Sequence, residues 1–252
     1  MEKTQQKKRP NTARHKKRLA VFDIDGTIFR SSLLIELVNG LVDDGVFPRR
    51  AKKEMEADYL AWLDRKGHYN KYIMQVVSIH LKYIRDCKQN DVHETAKRVI
   101  DWQRDRVYRF TRDFIKRLKK DGYLIVAISG SPDYIVKMFA KYMKFDAAFG
   151  QVLEVKNGHF TGNILNRDTI DNKEKVLKKF IGESKLSIDV KRSIAVGDSE
   201  GDIPMLEAVG NPIAFNPSSV LADYAKKKCW KIIVERKDVA YEIRDCILRN
   251  SN

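Results

Sequence analysis

The residues Leu19-Ala20-Val21-Phe22-Asp23-Ile24-Asp25-Gly26-Thr27 constrain the fold more than any other part of this chain. An apolar, partly β-branched run of this kind reads as a strand of a parallel sheet, buried on both faces. It stops abruptly in two carboxylates and a Gly-Thr. A desolvated acid without a partner is costly, so a buried strand that ends in two of them must hold something there. Asp23 and Asp25 are two apart, and in extended backbone both lean to the same side. Gly26 allows a sharp turn at the strand end. Open α/β sheets hold their ligands at the carboxyl ends of strands. The plain alternative is a strand followed by an Asp-Gly turn. The rest of the chain decides between the two.

After Thr27 the pattern becomes helical. Ser31 or Ser32 can cap a helix whose Leu34, Leu37, Val38 and Leu41 share one face. Gly45 is a stop signal, and Pro48 suits the first turn of a second helix carrying Met55, Tyr59, Trp62 and Leu63. Further helices are expected from about Tyr69 to Cys87, from about Asp91, and over Val107 to Leu118. Nothing between residues 31 and 120 reads as a strand. Strand character returns at 123–128 and runs straight into Ser129-Gly130-Ser131-Pro132. Helix, a short strand at 145–149, and a hairpin over 152–164 about Asn157-Gly158 follow. A Lys-rich helix spans 171–181. Strands at 193–197, 212–215 and 230–234 alternate with helices, and a last helix is expected to complete the chain. This alternation from residue 120 onward predicts an α/β fold with a mostly parallel sheet.

Three of these strands end in polar clusters: Asp23 and Asp25; Ser129-Gly130; and Gly197-Asp198-Ser199-Glu200-Gly201-Asp202. As parallel neighbours they would bring Asp23, Asp25, Asp198 and Asp202 into one pocket. Four acids cannot all ionise together there without a cation. Hard oxygen ligands suit Mg²⁺, which takes one or two carboxylates, waters and a phosphate. The Ser129 hydroxyl and the N–H groups after it can cradle phosphate oxygens. A lysine of the 171–181 helix can neutralise the remaining charge, and Lys173 and Lys175 both qualify.

Charge and cysteines narrow the classes. Residues 1–18 hold eight Lys/Arg and one Glu, about half of the net charge of +15. This tail is expected to have no fold of its own. It could contact nucleic acid or an anionic membrane, although a solvated arm is the plainer expectation. No run of about 18 apolar residues exists, so no membrane span is expected. A secretory signal is not expected either. Cys87, Cys229 and Cys246 are scattered and form no CxxC, which argues against a disulfide framework or zinc site and suits a cytoplasmic protein. The five histidines show no metal-ligand spacing.

The three polar clusters and the lysine stretch between the last two, taken in chain order, resemble the motifs of the haloacid dehalogenase (HAD) superfamily, and within it the phosphoserine-phosphatase-like subfamily IB. Asp23-Ile-Asp25-Gly-Thr27 is similar to its first motif, Ser129-Gly130 to its second, Lys173 to its third, and Gly197-Asp198-Ser-Glu-Gly-Asp202 to its fourth. The resemblance covers roughly residues 19–235. It implies a Rossmann-like core at 19–30 and 121–252, with a helical cap and linker helix at 31–120 inserted after the first strand. It implies Asp23 as nucleophile forming an aspartyl-phosphate, and Asp25 as proton donor and then base. Mg²⁺ would be held by Asp23, Asp198 and the Asp25 carbonyl, with Asp202 supporting from behind. Ser129, Gly130 and Lys173 would hold the phosphoryl group. An acid two places after the nucleophile also argues against carbon–halogen cleavage. The expected substrate is a small phosphorylated metabolite. The Glu that usually follows motif one in phosphoserine phosphatases is absent, Arg30 occupies that region, and motif two reads Ser-Gly-Ser-Pro. Phosphotransfer or phosphomutase chemistry on the same site, and nucleic-acid binding through the tail, are the competing readings.

Overall fold

The computed structural model describes residues 16–243. The expectations for tail residues 1–15, and for the chain after 243, lie outside the described residues. The chain opens with β1 (Leu19–Phe22), then five helices: α1 (Leu33–Asp43), α2 (Arg50–Leu63), α3 (Tyr69–Ile84), α4 (Gln89–Gln103) and α5 (Arg109–Lys120). β2 (Leu124–Pro132), α6 (Asp133–Met143), β3 (Ala147–Lys156) and β4 (His159–Asn166) follow. Then come α7 (Asp168–Asp171), α8 (Lys173–Glu183), β5 (Ile194–Gly197), α9 (Ile203–Glu207), β6 (Asn211–Phe215), α10 (Ser219–Lys227), β7 (Lys231–Arg236) and β8 (Val239–Ile243).

The strands form one eight-stranded sheet in the order β4-β3-β2-β1-β5-β6-β7-β8. The six inner strands are parallel, and only β4 and β8 at the two edges run antiparallel. This is the α/β architecture the alternating pattern predicts, with β1 in the middle. Residues of β1 alternate between two cores. Ala20 and Phe22 face α5, α6 and the inserted helices, while Leu19 and Val21 face α8, α9 and α10. All four are fully buried, and burying a side chain such as Phe22 contributes ~2–3 kcal/mol. A strand buried on both faces explains the unbroken apolar run.

Helices α1 to α5 all lie between β1 and β2. Ser32 caps α1, its side chain accepting from Leu34 N–H. Helix α2 packs on α3, and α1 packs on α3 and α4, whereas α5 lies against β2. The two connections to this insertion pair with each other: Arg30 N–H donates to Arg106 O at 2.9 Å, and Tyr108 N–H to Ile28 O at 2.9 Å. The β3–β4 hairpin, turning at Asn157-Gly158, also grips it. Asp86 N–H bonds Phe160 O at 2.8 Å and Gln89 N–H bonds Gly158 O at 2.8 Å.

Three local readings change. The short strand at 145–149 and the first arm of the hairpin are one strand, β3. The segment expected to begin a last helix instead forms β8, paired with β7 from Ile232↔Ile243 to Arg236↔Val239. Its alternating Val-Ala-Tyr-Glu-Ile is strand-like, and the turn uses Lys237 at φ +56° without a glycine to announce it. Cys87 is free, but Cys229 is disulfide-bonded, which the scattered cysteines did not lead us to expect. No helix among the described residues is long and apolar enough to cross a membrane.

Candidate active site

Because β1, β2 and β5 are adjacent and parallel, their carboxyl ends meet. Asp23 follows β1 directly and its N–H closes the ladder on Val196 O of β5 at 2.9 Å. Gly26 then turns the chain at φ +82°. That position has a second demand. A Cβ there would fall 2.3 Å from Asp198 Oδ2, so only glycine lets the two loops touch. Thr27 Oγ1 completes the join, donating to Asp198 Oδ1 at 3.1 Å. On the β5 side, Gly197 lies against Asp202, and an added Cβ would be 2.5 Å from Asp202 Cβ.

The acids are held in different ways. Lys173, at the start of α8, extends its ammonium to Asp23 Oδ1 at 2.5 Å and Asp202 Oδ1 at 2.6 Å. Lys175 instead pairs at the surface with Asp168, so the structure distinguishes the two candidates. Asp202 is fully buried, and its Oδ2 accepts from Asp198 N–H, Ser199 N–H and Ser199 Oγ, each at 3.0 Å. Both its oxygens are thus engaged. Asp23 differs, since its Oδ2 is buried with no hydrogen-bond partner. One carboxylate oxygen from each of Asp23, Asp198 and Asp202 lies within 4.8 Å of the others.

Burial pushes the Asp23 carboxyl up to about 8; Lys173 opposes this, while Asp202 and Asp25 add to it. Asp198 is likewise raised well above the carboxylate range, by burial and then by Asp23 and Asp202. Burial alone would lower Lys173, but Asp202 and Asp23 outweigh it and keep the ammonium charged. Among the described residues Lys173 is the one cation paired with this cluster of three acids, which is short of positive charge. An orphaned Asp23 oxygen beside Asp198 fits a hard divalent cation such as Mg²⁺.

Asp25 stands apart from this cluster. Its Oδ1 accepts from Leu33 N–H at 2.5 Å, at the N-terminus of α1, where the helix dipole favours an anion. Its Oδ2 accepts from Ser129 Oγ at 2.5 Å and Ser131 Oγ at 3.0 Å. Ser129 is therefore turned to Asp25, while Gly130 lines the open cleft beside it. The cleft, of about 2220 Å³, runs between the sheet edge and helices α1–α3.

Several cleft residues were not assigned a role from the sequence. Tyr69 lies at the start of α3, and burial followed by the fields of Asp25 and Asp198 holds its hydroxyl above the ordinary tyrosine range. Tyr59, Trp62 and Tyr72 form a ring cluster with Tyr69 and also line the cleft. Arg30 lies over the Tyr108 ring at 5.6 Å and lines the cleft too. Asn216 borders the cleft, and its Oδ1 accepts from Glu235 N–H at 2.8 Å. Asn70 of α3 donates to Glu200 at 3.2 Å, and Ser218 donates to the other Glu200 oxygen at 3.1 Å, joining the insertion to the sheet edge. No local pattern announces these residues, because each reaches the site from a distant element.

Comparison with known proteins agrees with this geometry. The family model described as haloacid dehalogenase-like hydrolase matches residues 20–207. A phosphoserine phosphatase of Archaeoglobus fulgidus is 28% identical over 218 residues, which span 85% of this chain and 57% of that protein. One from Methanocaldococcus jannaschii is 27% identical over 226 residues, 89% of this chain and 95% of that one. Among solved structures, a phospho-aspartyl intermediate analogue of phosphoserine phosphatase superposes with a TM-score of 0.61 at 25% identity, covering 88% of this chain and 95% of that one. A Bordetella pertussis protein of unknown function superposes at 0.68 with 19% identity, covering 86% of this chain and 98% of that one, which is a likeness of fold.

Proposed function

The chain belongs to the haloacid dehalogenase-like hydrolase family, and on that premise we propose that it is a Mg²⁺-dependent phosphatase acting on a small phosphomonoester through an aspartyl-phosphate. One observation carries the reading: the buried Asp23 carboxylate has one oxygen anchored by Lys173 and the other without a partner, beside Asp198. A structural ion pair would leave no such orphan, whereas a nucleophile and cation ligand requires one.

The Asp23 carboxylate attacks phosphorus, a P–O bond to Asp23 forms, and the bond to the leaving oxygen breaks. Asp25 gives that oxygen its proton. Water then attacks phosphorus, Asp25 takes the proton, and the bond to Asp23 breaks. Asp23, Asp198 and the Asp25 carbonyl would hold Mg²⁺, and Asp202 would keep the Asp198 loop in place through its three hydrogen bonds. A cation bound there would screen the acids from one another and would polarise the phosphoryl group. Lys173 holds Asp23 in position and adds positive charge where phosphoryl oxygens would lie. Ser129 and Ser131 can turn from Asp25 to those oxygens, which leaves Asp25 to carry the proton. Electrostatic positioning supplies most of the rate in such transfers. Helices α1–α4 would act as the cap that closes the cleft over a small substrate. The relatives named as phosphoserine phosphatases make phosphoserine the first substrate to try.

The test is hydrolysis of a generic aryl phosphate with Mg²⁺. Activity is expected to stop with EDTA and with Asp23→Asn. Failure to cleave any phosphoester across several pH values with Mg²⁺ present would overturn the proposal.

A further inference from the structure

Among the described residues, four buried side-chain polar atoms have no hydrogen-bond partner, and three of them belong to residues that line the cleft: Asp23, Gln151 and Thr169. The proposed reaction uses the Asp23 oxygen. It does not use Gln151 Nε2 or Thr169 Oγ1. Leaving a buried polar group unsatisfied costs ~1–3 kcal/mol, and native proteins carry few such groups. Two on one wall of a cleft call for a cause.

Both residues are only 3% exposed. Gln151 lies on β3 opposite Pro132 of β2, and Thr169 is in α7, which packs against both strands. The next residue, Ile170, borders Gly130, since a Cβ added to Gly130 would be 3.4 Å from Ile170 Cγ1. Gln151 and Thr169 therefore flank the Ser129-Gly130-Ser131 segment on the side away from β1. We propose that Gln151 and Thr169 form an oxygen-binding subsite for the substrate. An amide Nε2 can only donate, and a threonine hydroxyl donates or accepts, so the ligand is an oxygen with free lone pairs. It belongs either to the phosphoryl group or to a hydroxyl or carboxyl group on the leaving alcohol. An apolar leaving group would not satisfy the pair. This inference rests on the phosphomonoesterase reading, and it adds residues that decide which ester binds.

The test uses the full chain with Mg²⁺ and two variants, Gln151→Leu and Thr169→Val. Thermal stability, stabilisation by inorganic phosphate, and kcat/KM on an aryl phosphate, glycerol phosphate and phosphoserine are measured. Because neither polar atom has a partner in the free protein, both variants should melt at or above the wild-type temperature. Function should fall by roughly 10- to 100-fold, the worth of a hydrogen bond to a charged group. If phosphate binding and all esters weaken together, the oxygen is on the phosphoryl group. If only the oxygen-bearing esters weaken, it is on the leaving group. Unchanged phosphate binding with unchanged ester ratios overturns the subsite, and so does a lowered melting temperature without a functional loss. A wild-type chain that cleaves no ester overturns the phosphatase reading, and stabilisation by inorganic phosphate and by phosphoserine, compared between wild type and the two variants, then decides the subsite.

Discussion

Replacing Lys173 with Met probes the balance of charge at the sheet edge. The Lys173 ammonium lies 2.5 Å from Asp23 and 2.6 Å from Asp202, and all three side chains are nearly or fully buried. Removing one partner of a buried pair leaves uncompensated charge and costs ~3–5 kcal/mol. Asp202 keeps three donors on its other oxygen, so the strain falls mainly on Asp23. Methionine keeps the length of the side chain, and little of the loss should come from packing. The deficit must depend on pH. Asp23 has a folded pKa of about 8 even with Lys173 in place. A carboxyl raised above its unfolded value contributes stability below that unfolded value and loses it as pH rises through the folded one. Without Lys173 the Asp23 carboxyl is pushed up further, so Lys173→Met should be ~3–5 kcal/mol less stable than wild type, with a deficit that grows by at most ~1.4 kcal/mol per pH unit as pH rises through about 8. Mg²⁺ should recover more stability in the variant than in wild type. Urea denaturation near pH 5.5 and near pH 8.5, with and without Mg²⁺, reads all of this. A deficit under ~1 kcal/mol at pH 8.5, the size expected of an exposed pair, or one independent of pH, would refute the reasoning.

Gly26→Ala should cost only ~1–3 kcal/mol of stability from the positive φ, yet reduce Mg²⁺ response and turnover ~100-fold, because the new Cβ displaces Asp198; a Mg²⁺ titration of activity checks it. His80, buried between α3 and α6 beside Tyr134 at 3.4 Å, has its pKa pulled down by burial to about 4. A lowered folded pKa gives stability that is complete above the unfolded value of 6.5 and fades as pH falls toward 4. Wild type should lose ~2 kcal/mol from this residue between pH 7.5 and 5, and His80→Gln should lose that part of the dependence in matched denaturation curves.

The acids were legible because each stands where a buried strand should have ended in something apolar. Asp23 and Asp198 break off β1 and β5, and the Gly-Thr after Asp25 told of a turn. Periodicity could not separate Lys173 from Lys175, two residues apart at the start of α8. Only the depth of Lys173 below the helix end distinguishes them. The role of Gly26 was half visible: the turn follows from sequence, but the close approach to Asp198 depends on β1 and β5 being neighbours. Tyr59, Trp62 and Tyr72 fall at core spacing, and their second role as cleft lining needs the position of α2 and α3 over the sheet. Gln151 and Thr169 carry no local signal at all, since what marks them is a missing hydrogen bond. The segment 239–243 went to strand because β7 offers an edge to its alternating residues, a partner that five residues by themselves do not reveal.

The central claim is that Asp23 becomes covalently phosphorylated. Asp25→Asn removes both the acid of the first step and the base of the second; an aryl leaving group departs without a proton, so with an aryl phosphate the variant should accumulate the intermediate. Acid quenching of that variant with a ³²P-labelled aryl phosphate and Mg²⁺ should give a hydroxylamine-sensitive label mapping to the peptide that contains Asp23, and none in Asp23→Asn. Wild-type turnover without any trapped label, or a label that persists when Asp23 is Asn, would contradict the account.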